Sequence, residues 1–184
     1  TGVTVSTNGY ISTSQQDIGG DVSNDCPLPT AVSSGTGGRI YPLHDDVVIQ
    51  TAYHQYFENC PRPGESAGSA GCNIFQWNVD GFFGGPSSPN FDFQAILYDG
   101  TNQIVYQYGP GNGRQGDSQT IGIQSQANAP FDGLTYACNE PNSVPDNSAV
   151  CIFHPSADSP GLSGDIQLES SALAVGAVGS GGSS

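Results

Sequence analysis

The chain has 184 residues, enough for one domain with a core of its own. Three Lys+Arg stand against 17 Asp+Glu, and the formal net charge of −14 excludes nucleic acid and disfavours anionic membrane surfaces. Only 11% of residues are charged, and 8 Tyr, 8 Phe and one Trp run through Gly-, Ser-, Asn- and Gln-rich sequence; this excludes a disordered acidic tail and suits an extracellular all-β module.

In chain order, "VTVSTNGYISTS" (3–14) predicts a strand carrying Val3 and Val5, a turn at Asn8-Gly9 and a short strand at Tyr10 and Ile11. A glycine loop precedes a predicted strand over 39–43. An acidic corner, His44-Asp45-Asp46, then leads into a strand from Val47 through Phe57. "NIFQWNV" (73–79) alternates Phe75, Trp77 and Val79 against Ile74, Gln76 and Asn78. After a loop over 80–90, Phe91, Phe93, Ala95 and Leu97 share one face, with Asp92, Gln94, Ile96 and Tyr98 on the other. Asp99-Gly100-Thr101-Asn102 supplies a turn, and Ile104, Tyr106 and Tyr108 return opposite Val105 and Gln107, so 91–108 predicts a hairpin. "TIGIQSQ", "DGLTYAC" and "SAVCIFHP" read as three further short strands.

Period two recurs between frequent Gly and Pro breaks, and no segment sustains a 3.6-residue period. The predicted fold class is all-β: an antiparallel two-sheet β-sandwich, jelly-roll-like, with long loops and local disulfides. The domain spans 1–155. Residues 156–184 form an extension that is loop-like, then small and apolar, then Gly/Ser-rich. It reads as a linker or as a strand exchanged into a neighbouring subunit's sheet. No apolar run approaches the ~20 residues needed to span a bilayer, and a secreted chain would be in its mature form here.

There are five cysteines and no CxxC pair. Cys60 and Cys72 bracket "CPRPGESAGSAGC", and Cys138 and Cys151 bracket "CNEPNSVPDNSAVC". Each pair is expected to staple a turn-rich loop, worth about 3 kcal/mol in the chain-entropy model. Such bonds imply an oxidising compartment, hence a secreted or cell-surface protein. Cys26 is left over, as a buried thiol or an intermolecular bond.

Three chemical readings compete. His44, Asp45 and Asp46 could ligate a divalent cation such as Ca²⁺, or could simply hydrogen-bond the backbone of a strand corner. Asp80, Asp92, Asp99 and Asp117 are scattered, without calcium-loop spacing. Trp77, Tyr98, Tyr106 and Tyr108, beside Asn, Asp and Gln, could form a sugar-stacking platform or pack within a sheet. A hydrolase is poorly supported. There is no G-x-S-x-G or H-E-x-x-H, the histidines (His44, His54, His154) lie in separate segments, and the few glutamates lie in or next to loop-like or tail segments.

"RIYPLHDDVVIQTAYHQYF" (39–57), "NIFQWNV", "FDFQAILYDGTNQIVYQYG" (91–109) and "TIGIQ" together resemble the nidogen-like β-sandwich module of secreted and cell-surface proteins, many of them bacterial. The likeness spans residues 3–154. Its most specific pieces are Phe93 to Leu97 with the Asp99-Gly100 turn, and Pro42 with Asp45-Asp46. The family carries a bulky aromatic where this chain has His44, and bacterial relatives have further strand sequence before residue 3. The resemblance implies an extracellular interaction module with no common catalytic set. The expected function is therefore non-catalytic: a structural or adhesive module, a subunit of a cell-surface or filamentous assembly joined through strand exchange. Its partners would be copies of itself, another surface protein or a glycan. The alternatives are a carbohydrate-binding module and a metal-dependent hydrolase.

Overall fold

The computed structural model describes residues 2–60, 71–85, 91–100, 103–111, 116–127 and 132–152, and the backbone of 166–169. Among them the secondary structure is eleven strands without a helix: β1 (Thr4–Val5), β2 (Ile11–Ser12), β3 (Arg39–His44), β4 (Val47–Phe57), β5 (Cys72–Phe82), β6 (Phe91–Tyr98), β7 (Ile104–Tyr108), β8 (Thr120–Gln124), β9 (Gly133–Cys138), β10 (Ser148–Ile152) and β11 (Ile166–Glu169). They form two sheets, a five-stranded one ordered β1-β2-β3-β8-β9 and a six-stranded one ordered β11-β10-β7-β6-β5-β4. Every pairing is antiparallel. The chain crosses between sheets after β3, β7 and β9, and β10 returns to lie beside β7. This is the predicted β-sandwich.

The alternation read from the sequence decides which side chains face the other sheet. Phe75, Trp77 and Val79 of β5, Phe91, Phe93 and Ala95 of β6, Tyr106 and Tyr108 of β7 and Val150 and Ile152 of β10 all turn inward. They meet Ile11, Leu43, Ile121 and Ala137 of the five-stranded sheet in one core cluster. Trp77 stacks on Phe93 with ring centroids 5.0 Å apart. Each such side chain, buried, stabilises the fold by about 1.5–3 kcal/mol. Three polar tips bond out of the six-stranded sheet. Tyr106 donates to the carbonyl of Gly122 (2.7 Å), Tyr108 to that of Pro42 (2.6 Å) and Trp77 Nε1 to that of Ser6 (2.8 Å). These bonds fix how the two layers sit, because a slip would leave buried donors unpaired.

The β6–β7 hairpin forms as predicted, Leu97 facing Ile104 and Phe93 facing Tyr108, with Tyr98 N–H closing onto Gln103 O at 3.1 Å. β5 runs further than the sequence suggests, to Phe82, because Gly81 and Phe82 still pair with Val48 and Val47 beyond a bulge in β4. The Asn8-Gly9 turn needs glycine. Its φ is +73°, and a Cβ there would sit 2.0 Å from Leu43 O.

Residues 13–38 contain no strand and form a third layer on the outer face of the five-stranded sheet. Leu28 packs with Tyr10 and Tyr41. Its N–H donates to Thr135 Oγ1 (2.6 Å), and Gln124 exchanges two hydrogen bonds with Thr30. The layer is stapled by Cys26–Cys138, a bond that spans a sequence separation of 112. This corrects the expected Cys138–Cys151 pairing and the unpaired Cys26. Cys138 ends β9 in one sheet, whereas Cys151 lies on the outer face of the other, buried with Ile96, Val105 and Ala149. The core separates the two sulfurs. Cys60–Cys72 forms as expected, its loop 61–70 lying outside the described residues.

In the C-terminal extension, β11 pairs with β10 of its own chain, from Ala149 opposite Glu169 to Ile152 opposite Ile166. Residues 156–165 and 170–184 lie outside the described residues.

Candidate functional site

The strand corner puts His44, Asp45 and Asp46 to structural use. His44 is fully buried, and each ring nitrogen meets a main-chain carbonyl oxygen, Nδ1 with Asn8 (2.8 Å) and Nε2 with Ser23 (2.7 Å). Neither nitrogen is left to coordinate a metal. The Asp45 carboxylate accepts from Asp46 N–H (2.7 Å), Ser118 Oγ (2.6 Å) and Gln119 Nε2 (3.0 Å). Asp46 O accepts Phe83 N–H, tying the corner to the end of β5. Among the described residues no group of three or more His, Cys, Asp or Glu could hold a metal ion. The proposed metal triad is therefore a backbone clamp, as an aspartate at a strand corner is suited to be.

The sugar platform is also corrected. Trp77, Tyr106 and Tyr108 are fully buried, and their polar groups bond to carbonyls inside the molecule. Burial pushes both tyrosine hydroxyls far above the ordinary phenol range. Tyr98 lies half-buried on the opposite face of its sheet, beside the Cys72, Ile96 and Val105 cluster. The four rings occupy two faces and offer no common surface. His54 is exposed on β4, and His154 lies outside the described residues.

A buried ionic cluster sits between the five-stranded sheet and its third layer, and the sequence reading missed it. Arg39 and Asp17 form an ion pair with both side chains fully buried. The guanidinium also donates to Thr36 O (2.6 Å) and Ser34 O (2.9 Å), and lies 4.7 Å from the Tyr10 ring centroid. Burial alone would raise the Asp17 carboxyl; Gly19 N–H, the Arg39 charge and Thr36 N–H outweigh it and hold it low. Asp21 differs. Burial raises its carboxyl, and His44 and Ser23 N–H offset only part of that. Gly35, at φ +95°, makes the cluster possible, since a Cβ there would lie 2.4 Å from Asp17 Oδ2. The available signal was Arg39 itself, one of three cations and the one placed inside a predicted strand.

The open feature of the molecule is β4. It is a strand of eleven residues at the edge of its sheet, and among the described residues its one hydrogen-bonded neighbour is β5. Val47 and Ile49 at its start pack on the core. Bulges around Ile49 interrupt the register, which then runs unbroken from Thr51 opposite Asn78 to Phe57 opposite Cys72. Along this regular stretch Ala52, His54 and Tyr56 lie on the face that Trp77 and Phe75 of β5 turn to the core and are nonetheless exposed, while Tyr53, Gln55 and Phe57 on the other face are half-buried, so β4 overhangs the sandwich. His54 stacks on Phe75 (4.6 Å) and meets Asn73 Oδ1 (2.9 Å), while Tyr56 donates to Asp99 Oδ2 (3.1 Å). That hydrogen bond and the Asp99 charge raise the Tyr56 hydroxyl. β4 contains no Asp, Glu, Lys, Arg or Pro. It therefore lacks the charges and prolines that ordinarily blunt a sheet edge.

Fold and site together define an acidic, disulfide-bonded two-sheet module with one long open edge. A family model described as NIDO related matches residues 1–158, and the chain belongs to this family, as the resemblance to the nidogen-like module implied. No curated protein and no solved structure matches it. Family and disulfides suggest an extracellular module. Among the described residues no helix is long and apolar enough to cross a membrane.

Proposed function

We propose that this is a non-catalytic structural or adhesive module whose copies join into a surface or filamentous assembly, the C-terminal extension of one copy lying in a sheet of the next. The observation that carries the reading is the pair of edges on the six-stranded sheet. One edge is a four-residue strand from the extension, and the other is the long exposed β4. A joint between unlike edges is heterologous, and where its rotation does not close into a ring it propagates as a filament. Main-chain pairing along the joint supplies affinity without a deep pocket. The sites that chemistry would need are otherwise committed: the corner carboxylate binds backbone and side-chain donors, and three of the four candidate rings are core.

The test is removal of residues 165–184, followed by light scattering and electron microscopy. The intact chain is expected to assemble and the truncated chain to stay monomeric. Equal assembly by both, or none by the intact chain, overturns the reading.

A further inference from the structure

The four sheet edges are not equivalent as places for a neighbour's strand. β1 has two residues. β9 has six, is bulged against β8, and ends in the Cys26–Cys138 bond beside the third layer. β11 is itself the four-residue strand of the extension. Among the described residues β4 alone of the four offers a long, regular, uncovered stretch, Thr51 to Phe57.

Charge narrows the choice of partner segment. Each copy carries −14, so copies repel, and a joint between them is favoured where neither side brings a carboxylate. β4 brings none. The same is true of residues 170–184, "SSALAVGAVGSGGSS", within which Ala172, Leu173, Ala174, Val175, Ala177 and Val178 are apolar and free of proline. An uncharged apolar run of this kind is the composition that pairs readily with an open edge.

Resting on the reading above, we infer that residues 171–178 of one copy add as a strand to β4 of the next, along Thr51 to Phe57, while β11 stays paired with β10 of its own chain. β11 and β4 bound opposite sides of one six-stranded sheet, so four strands stand between β11 and the β4 of its own chain. The edge assigned to residues 171–178 is thus a neighbour's, and each added copy exposes a fresh β4. The sheet continues from copy to copy.

Four sets of variants separate this slot from the general reading. Deletion of 170–184 keeps β11 and is expected to abolish assembly. Ala52→Glu with Tyr56→Glu charges the β4 edge, glutamate being chosen because lysine would attract other acidic copies; association should weaken about tenfold or more, equivalent to 1.4 kcal/mol. Gln167→Cys places a thiol opposite Cys151 in the β10–β11 register, and it should form a disulfide within one chain on a non-reducing gel. Mixing Ala52→Cys and Val175→Cys chains with a short bis-maleimide should give a heterodimer band that either chain alone does not. If the glutamates unfold the protein by circular dichroism, this cross-link decides. Loss of assembly on deletion with no β4 cross-link overturns the β4 slot and leaves the reading standing. So does a Gln167→Cys chain whose introduced thiol bonds to Cys151 of another copy. Assembly unchanged by deletion of 165–184 overturns both.

Discussion

The two faces of the sandwich are finished in opposite ways. The five-stranded sheet is sealed: residues 13–38 lie over it, a disulfide pins them, and a buried Arg39–Asp17 pair sits in the seam. The six-stranded sheet runs out at β4 into a strand whose core-side residues Ala52, His54 and Tyr56 are exposed and which is bare of charge. A protein that carries −14 could have placed carboxylates along that edge at no cost to its core. The difference teaches that this module uses its polar chemistry to hold its own third layer, and leaves main-chain hydrogen bonding available at one edge.

The contrast can be broken most sharply at the seam. Arg39→Ala strands a buried carboxylate and should destabilise the fold by about 3–5 kcal/mol in urea unfolding. Combining Arg39→Met with Asp17→Asn should recover much of that loss, since the uncompensated charge goes with it. Next in size is the staple. Replacing Cys26 and Cys138 together by serine should cost about 2–5 kcal/mol, read as a lower melting temperature, because a long denatured-state loop is released.

pH sharpens the same region. The Asp17 carboxyl is held low, so its contribution is present above the ordinary carboxylate pKa and is lost as pH falls through the depressed value. Asp21 runs the other way. Its carboxyl is raised, so its ionised form penalises the fold above the raised pKa, and acid relieves that penalty. Asp17→Asn should therefore flatten the acid-unfolding limb, while Asp21→Asn should raise the melting temperature at pH 7 but not at pH 3. A melting temperature at pH 7 lowered by Asp21→Asn would reverse the assigned sign. The smallest effect is expected at the open edge: Tyr56→Phe should leave the melting temperature unchanged, because its bond to Asp99 is exposed to solvent. If Tyr56→Phe costs as much as a core change, β4 is not the free edge described.

Much of the sandwich was legible in the residues. The hairpin over 91–108 reads from its alternation, because a strand with one buried face must alternate whatever it packs against. Cys60–Cys72 reads from proximity in the chain. Cys138 does not: the same reasoning pairs it with Cys151, and only the crossing of β10 to the other sheet shows that the core stands between them. The rings of Trp77, Tyr106 and Tyr108 show the same limit. Alternation says that they share a face, and nothing local says that the face is covered.

By itself, the sequence determined the strand periodicity, the acidic surface and the turn at Asn8-Gly9, all of which depend on composition or on residues within a few positions of one another. Tertiary structure alone decided that residues 13–38 become a layer, that Arg39 finds Asp17, and that β4 is left at an edge. Sheet order is a relation between strands far apart in the chain. An edge strand and a central strand of the same composition differ only in whether a neighbour arrives, and that neighbour's hydrogen bonds are written nowhere in the strand itself.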